Sequence, residues 1–244
     1  MPDNHPPIGE ADGKAEAVQE MFDAVAPRYD LLNRVLSAGI DRYWRWRAVR
    51  MLNDEQPQRV LDVATGTADL AIRIERTLHP RETVGIDLST EMLDRGRAKI
   101  ERKSLSPRIT LQKGDAVDLP FDDASFDAAF AAFGVRNFED LGAGLGDIRR
   151  VLQPGGALVV LEFSTPRTFP IKQLYAWYSR HVLPRIGGLL SPDQGAYEYL
   201  PNSVAAFPDG HDFLRRMEDA GFVDREWVPL TFGIASLYKG RVRA

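Results

Sequence analysis

The sequence predicts an α/β fold on a mostly parallel sheet, and three observations carry that expectation. Arg59 to Val63 is an apolar, β-favouring run that meets a short Thr/Gly/Ala segment and then Leu70, Ala71, Ile74 and Leu78 at helical spacing, which reads as strand, tight loop, helix. Strand-like and helix-like runs then alternate as far as Phe163. Finally, the chain closes on a helix and two strands, around Trp227 and Ile234, whose short connection requires an antiparallel hairpin. Residues 1–244 read as one domain, with a mobile tail over 1–13, a helical cap over 14–52 and an insertion over 164–208, after the fifth strand.

Each element has its own local signal. Val18, Met21, Phe22 and Val25 follow helical spacing from Lys14, and Pro27 should end that helix. Tyr29-Asp30-Leu31-Leu32-Asn33 and the aromatic, basic stretch Asp41 to Arg47 complete the cap, with Tyr43, Trp44 and Trp46 suited either to a core or to a half-buried surface. Thr83 to Asp87 is a second strand ending in a carboxylate, and Ser89 can cap the helix through Met92, Leu93 and Ile100. Arg108 to Gln112 is a third strand that delivers Gly114-Asp115-Ala116, where Asp115 is either a ligand acceptor or a turn residue. A fourth strand, Ala128 to Phe133, leads to Gly134-Val135-Arg136-Asn137, at the strand ends where open α/β sheets keep their ligand crevice. A helix over Leu141 to Leu152 stops at Gln153-Pro154-Gly155-Gly156, and Ala157 to Phe163 is the fifth strand. The alternation then breaks, and the aromatic and aliphatic content of the insertion (Leu174, Trp177, Tyr178 and Tyr199 among others) suits an apolar cavity as well as a core.

Composition narrows the function. A net charge of −4 supplies no basic face for a phosphate backbone, so nucleic acid is not the expected partner. No run approaches the ~20 apolar residues that span a bilayer, and the N-terminus lacks an apolar leader segment, so the protein is expected in the cytoplasm. With no cysteine there is no thiolate nucleophile, and the scattered His5, His79, His181 and His211 suggest no metal site.

The loop after the first strand has only Gly66 where a dinucleotide turn carries three glycines, which points to a ligand without a pyrophosphate. Asp62 at the strand end, followed by Gly66 and Ala68, resembles the first motif of class I S-adenosylmethionine methyltransferases. Asp87, ending the second strand, is positioned to accept the ribose hydroxyls of an adenosine ligand. Taken together, VLDVATGTADLA, GIDLSTEML, GDAVDLPF, FGVRNFEDL, RVLQPGG and LEFSTP, with VAPRYDLLN before them and RHVLPRIGGLL and YEYLPNSV after, closely resemble the ubiquinone/menaquinone biosynthesis C-methyltransferases, from about Phe22 to Lys239.

That resemblance implies a Rossmann-like seven-stranded sheet and methyl transfer from S-adenosylmethionine to a ring carbon of a prenylated quinol. It implies cofactor contacts at Gly66, Thr67, Asp87, Asp115 and Ala116, with Asp62 beside them. The chain departs from the family at Thr65 and Ala68, which stand where glycines are common, at Ala132 for a serine of one branch, and at Asp115 for a commoner asparagine. For catalysis it implies Arg136, helping a water remove the phenolic proton; Tyr29, Asn33, Asn137 and His181 are the further candidates, and pairing with Glu139 or Asp140 is the structural alternative for Arg136. Without a thiolate, any C-methylation must proceed by direct attack of an electron-rich ring carbon. Weak, peripheral membrane contact follows from a prenylated substrate, because no polybasic patch adds to it. Demethylmenaquinol and a demethylated benzoquinol remain open as substrates, as do another small apolar aromatic substrate, a non-catalytic binding role and a homodimer.

Overall fold

Seven strands form one sheet in the order β3-β2-β1-β4-β5-β7-β6. The computed structural model describes residues 13–178, 181 and 195–244. The expected tail, apart from Gly13, and the HVLPRIGGLL part of the insertion apart from His181 lie outside the described residues. Strands β1 (Arg59–Val63), β2 (Glu82–Asp87), β3 (Ile109–Lys113), β4 (Phe126–Ala132) and β5 (Leu152–Phe163) are parallel, and β7 (Ala235–Arg241) lies antiparallel between β5 and β6 (Val223–Leu230). The period-two alternation sorts side chains onto two cores. Leu61, Val63, Ala129, Ala131, Leu158 and Val160 pack on one face with α6 (Leu141–Val151) and α9 (His211–Asp219). Val60, Ala128, Phe130, Val159 and Leu161 pack on the other with Trp44 of α3 (Asp41–Arg50) and Leu70 of α4 (Asp69–Leu78).

The strand order reverses between β1 and β4, so the crevice opens beyond their carboxyl ends. Over it lie α1 (Lys14–Val25), α2 (Tyr29–Leu36) and α3 from the N-terminal cap. Helices α7 (Ile171–Trp177) and α8 (Gly195–Ala206) belong to the insertion. On the β2 side, α5 (Thr90–Glu101) is capped by Ser89, whose hydroxyl accepts from the Met92 N–H at 3.1 Å. No helix among the described residues is long and apolar enough to cross a membrane.

Two differences from the sequence expectation are physical. The helix α6 stops at Val151, and Leu152 already pairs with Phe126, so Gln153 to Gly156 bulge out of a continuous β5 instead of forming a separate turn. The last strand starts at Ala235, and Ile234 ends the short helical turn that joins it to β6. At the far border, β6 slips register between Val223 and Glu226 and carries Pro229, which has no N–H to donate.

Candidate active site

The loop from Ala64 to Ala68 is built by backbone held against neighbouring strands. Thr65 N–H donates to the Ile86 carbonyl at 2.8 Å, and Gly66 N–H to Asp87 Oδ2 at 2.8 Å. Asp87 Oδ1 also accepts from Ser89 N–H at 2.9 Å, so this one carboxylate fixes the loop and the start of α5 together. Close approach of β4 is needed as well: a Cβ on Gly134 would lie 2.4 Å from the Ala64 Cβ.

Two cavities open at this loop, and a third adjoins them at Tyr29. The first, about 70 Å³, is lined by Gly66, Asp87, Asp115 and Ala116 below and by Ala15, Val18, Gln19 and Phe22 of α1 above, with Asn137 beside them. The second, about 20 Å³, lies between Asp62, Thr65, Gly66, Thr67, Asp69 and Arg45. The third is an apolar chamber of about 690 Å³ under the cap, walled by Trp44, Phe133, Phe163, Leu174, Tyr199 and Val204, and reached by Asn33, Arg45 and Arg136. Tyr29 lines all three.

The charges are arranged to be consequential. Asp62 is buried; its Oδ2 accepts from the Thr65 hydroxyl at 2.6 Å, while Oδ1 has no hydrogen-bond partner. Burial pushes its pKa up to about 7, against the pull of Thr65, Ala71 and Arg45. Burial likewise raises Asp87, opposed by its backbone donors at Ser89 and Gly66. It raises the Tyr29 hydroxyl too, with Asn33, Arg45 and Arg136 pulling the other way. Asp115 accepts the Val117 N–H at 3.1 Å, a turn role, and still lines the first cavity.

Arg136 ends the β4 side of the chamber. Its partner is neither Glu139 nor Asp140: Nη1 donates to Glu162 Oε1 at 2.7 Å, an ion pair with side chains 7% and 0% exposed, and Nε lies 3.3 Å from the Ser203 hydroxyl. Asp140 instead caps α6 through the Ala143 N–H. The guanidinium sits 5.5 Å from the centroid of the Phe163 ring, which stacks on Phe133 at 4.5 Å, and Arg45 sits 5.3 Å from the centroid of the Phe133 ring.

The remaining expected residues divide. Asn33 faces the chamber, and Asn137 faces the first cavity while its Oδ1 accepts from the Tyr199 hydroxyl at 2.9 Å. His181 is exposed beside Trp177 and does not line the chamber. The Thr67 hydroxyl donates to Asp30 at 2.6 Å and accepts from Lys99 at 3.0 Å, so it is committed to holding α2 and α5. Of Tyr43, Trp44 and Trp46, only Trp44 enters the chamber wall, tied to Thr231 through its indole N–H at 2.7 Å; Tyr43 is exposed and stacks on Trp46, 5.9 Å between centroids. Glu162 and Arg45 were not singled out from the sequence. The signal for Glu162 was a lone charge inside the apolar strand Ala157 to Phe163, and for Arg45 its spacing of four from Asp41.

Comparison with known proteins agrees with this geometry. The family model described as the ubiE/COQ5 methyltransferase family matches residues 10–241. The demethylmenaquinone methyltransferase of Deinococcus radiodurans is 50% identical over 241 residues, covering 99% of this chain and 99% of its own. A protein of Geotalea daltonii named ubiquinone/menaquinone biosynthesis C-methyltransferase UbiE is 49% identical, covering 93% and 97%. Among solved structures, an S-adenosylmethionine-dependent methyltransferase of Thermotoga maritima superposes with a TM-score of 0.64 at 20% identity, covering 91% and 98%, which establishes the Rossmann-like methyltransferase fold. With a family model over nearly its whole length and relatives at half identity, the chain belongs to the ubiE/COQ5 methyltransferase family.

Proposed function

We propose that the chain transfers a methyl group from S-adenosylmethionine to a ring carbon of a prenylated quinol, demethylmenaquinol first. The observation that carries this reading is the convergence at Tyr29 of a carboxylate-lined cavity and an apolar chamber of about 690 Å³ containing a buried arginine. The names of the Deinococcus and Geotalea relatives support the substrate class.

The residues present fit the methyl donor. Asp87 and Asp115 are acceptors for the ribose hydroxyls and the adenine amino group, with the Ala116 N–H alongside. The unpartnered Asp62 Oδ1 suits a cationic amino group, since a buried carboxylate oxygen needs a donor. Thr67 contributes through its backbone, its hydroxyl being held by Asp30 and Lys99. Bound there, S-adenosylmethionine supplies an electrophilic sulfonium methyl.

The chain supplies the rest. A phenolic proton leaves near pH 10, so a phenolate at neutral pH costs roughly 4 kcal/mol. Arg136, whose guanidinium is a poor base, lowers that cost in the water-poor chamber and orients the water that takes the proton. Trp44, Phe133 and Phe163 exclude bulk water and so strengthen the charge they surround. The prenyl tail leaves through the chamber mouth toward the inner face of the membrane, which makes the protein cytoplasmic and peripherally bound.

Turnover with reduced, short-chain demethylmenaquinol and S-adenosylmethionine tests the proposal, with the methyl position read by NMR. A ring C-methyl product is expected; an O-methyl product, or none from either quinol class, would overturn it. Arg136→Met with Glu162→Gln removes both members of the buried pair, so the fold survives while kcat falls by roughly 10². The deficit should shrink as pH rises toward the quinol pKa, and an unchanged kcat would remove Arg136 from the mechanism.

A further inference from the structure

We infer that Arg45 binds the carboxylate of the methyl donor's amino-acid end, an assignment that rests on the proposed function. Arg45 lies on α3, in the substrate cap, and its side chain is 9% exposed. It lines the small cavity together with Asp62, Thr65 and Gly66.

Donor and acceptor capacity in that cavity is unbalanced in a particular way. A guanidinium carries five N–H donors in a planar fork. Asp41 takes part of that capacity through an ion pair with Nη1, and no other acceptor among the described residues hydrogen-bonds Arg45. Arg136 is different, since Glu162, the Phe133 carbonyl and the Ser203 hydroxyl all engage it. Asp62 lines the same cavity, and its Oδ1 is buried with no hydrogen-bond donor. One cation with spare donors and one anion with a spare acceptor thus face a space of about 20 Å³, which is roughly the room of one water. A zwitterionic α-amino acid matches that pair, with its ammonium to Asp62 and its carboxylate to the fork of Arg45.

A purely structural Asp41–Arg45 pair would leave both the spare N–H groups and the orphaned Oδ1 without a purpose. Service to the quinol oxygen is the other use of Arg45, because it also reaches the chamber. The stacked rings favour the division of labour: Arg45 sits over Phe133 on the Asp62 side, and Arg136 over Phe163. The field of Arg45 also already opposes the rise in the Asp62 pKa, as expected of groups facing one cavity.

The test is calorimetric titration of the full chain with S-adenosylmethionine and with its decarboxylated analogue. The wild-type protein should bind the analogue about 10- to 100-fold more weakly, the range for a charged hydrogen-bonded pair. Arg45→Met alone strands a buried aspartate, so the variant is Asp41→Asn with Arg45→Met, its folding checked by thermal melting. It should bind both ligands with similar, weaker affinity. Equal binding of the two ligands by the wild type overturns the assignment of Arg45 alone, as does a folded variant that still discriminates. Failure of the wild type to bind S-adenosylmethionine at all overturns the proposed reaction with it.

Discussion

At Asp62 a proton is at stake near neutral pH. Its folded pKa of about 7 lies above the usual carboxylate value near 3.9 because it is buried, with one oxygen unpaired. Between those values the folded chain holds a proton that the unfolded chain releases, so this group makes stability fall as pH rises through the window and levels off above it. We expect Asp62→Asn to flatten the decline in urea midpoint between pH 5 and pH 8, measured without ligand; parallel profiles for the two proteins would refute it. Asp62, Asp87 and Asp115 could be placed at the crevice end in advance because each lies at or just past the carboxyl end of a strand, while the family resemblance marked them as ligand candidates. Glu162 and Arg45 carried only weak local signals, since the contacts that place them at the cavities come from elements far apart in the chain. The sequence suggested Glu139 or Asp140 for Arg136 because they are near in the chain, but β4 and β5 pair in register and bring Glu162 across from the strand end.

Among elements, α2 is held to the loop after β1 through one buried cation. Lys99 of α5 bonds Asp30 of α2 at 2.7 Å and Asp69 of α4 at 2.6 Å, and shares the Thr67 hydroxyl with Asp30. A second tie joins Asp23 of α1 to the Ser89 hydroxyl. Lys99→Met should lower global stability by about 1.5–3 kcal/mol, the scale of hydrogen bonds to charged groups, and quicken amide exchange over residues 29–36. Unchanged exchange there would mean that α2 is held by packing alone. The helices themselves were legible where periodicity and a stop signal agreed, as for α1, which begins at Lys14 and gives way to a short turn at Ala26 ahead of Pro27. The α6 boundary was misjudged by one residue because a ladder partner, Phe126, claims Leu152 for the sheet. The insertion carried no period to read, and its apolar content served chamber and core alike.

For the whole molecule, four of the seven exposed large hydrophobics among the described residues line the chamber. Phe232 is 74% exposed, and with Val35, Leu174 and Trp177 it lines the chamber; Phe169, 81% exposed, precedes α7. We expect vesicles containing a prenylated quinol to float the wild-type protein, and Phe169→Ser with Trp177→Ser and Phe232→Ser to weaken that recruitment several-fold. Absence of wild-type protein from vesicles with and without quinol would discard the membrane-facing mouth. The borders of the sheet bear on a different kind of encounter. A newcomer strand needs a long, regular row of free N–H and C=O groups, but β3 offers five residues and β6 is broken by its register slip and by Pro229. Among the described residues, the sheet therefore offers copies of this chain no ready seam along which to zip edge to edge, whether into a paired assembly or a growing fibril. The greasy rim is a different surface for self-association, and there a lipid surface competes for the same contacts.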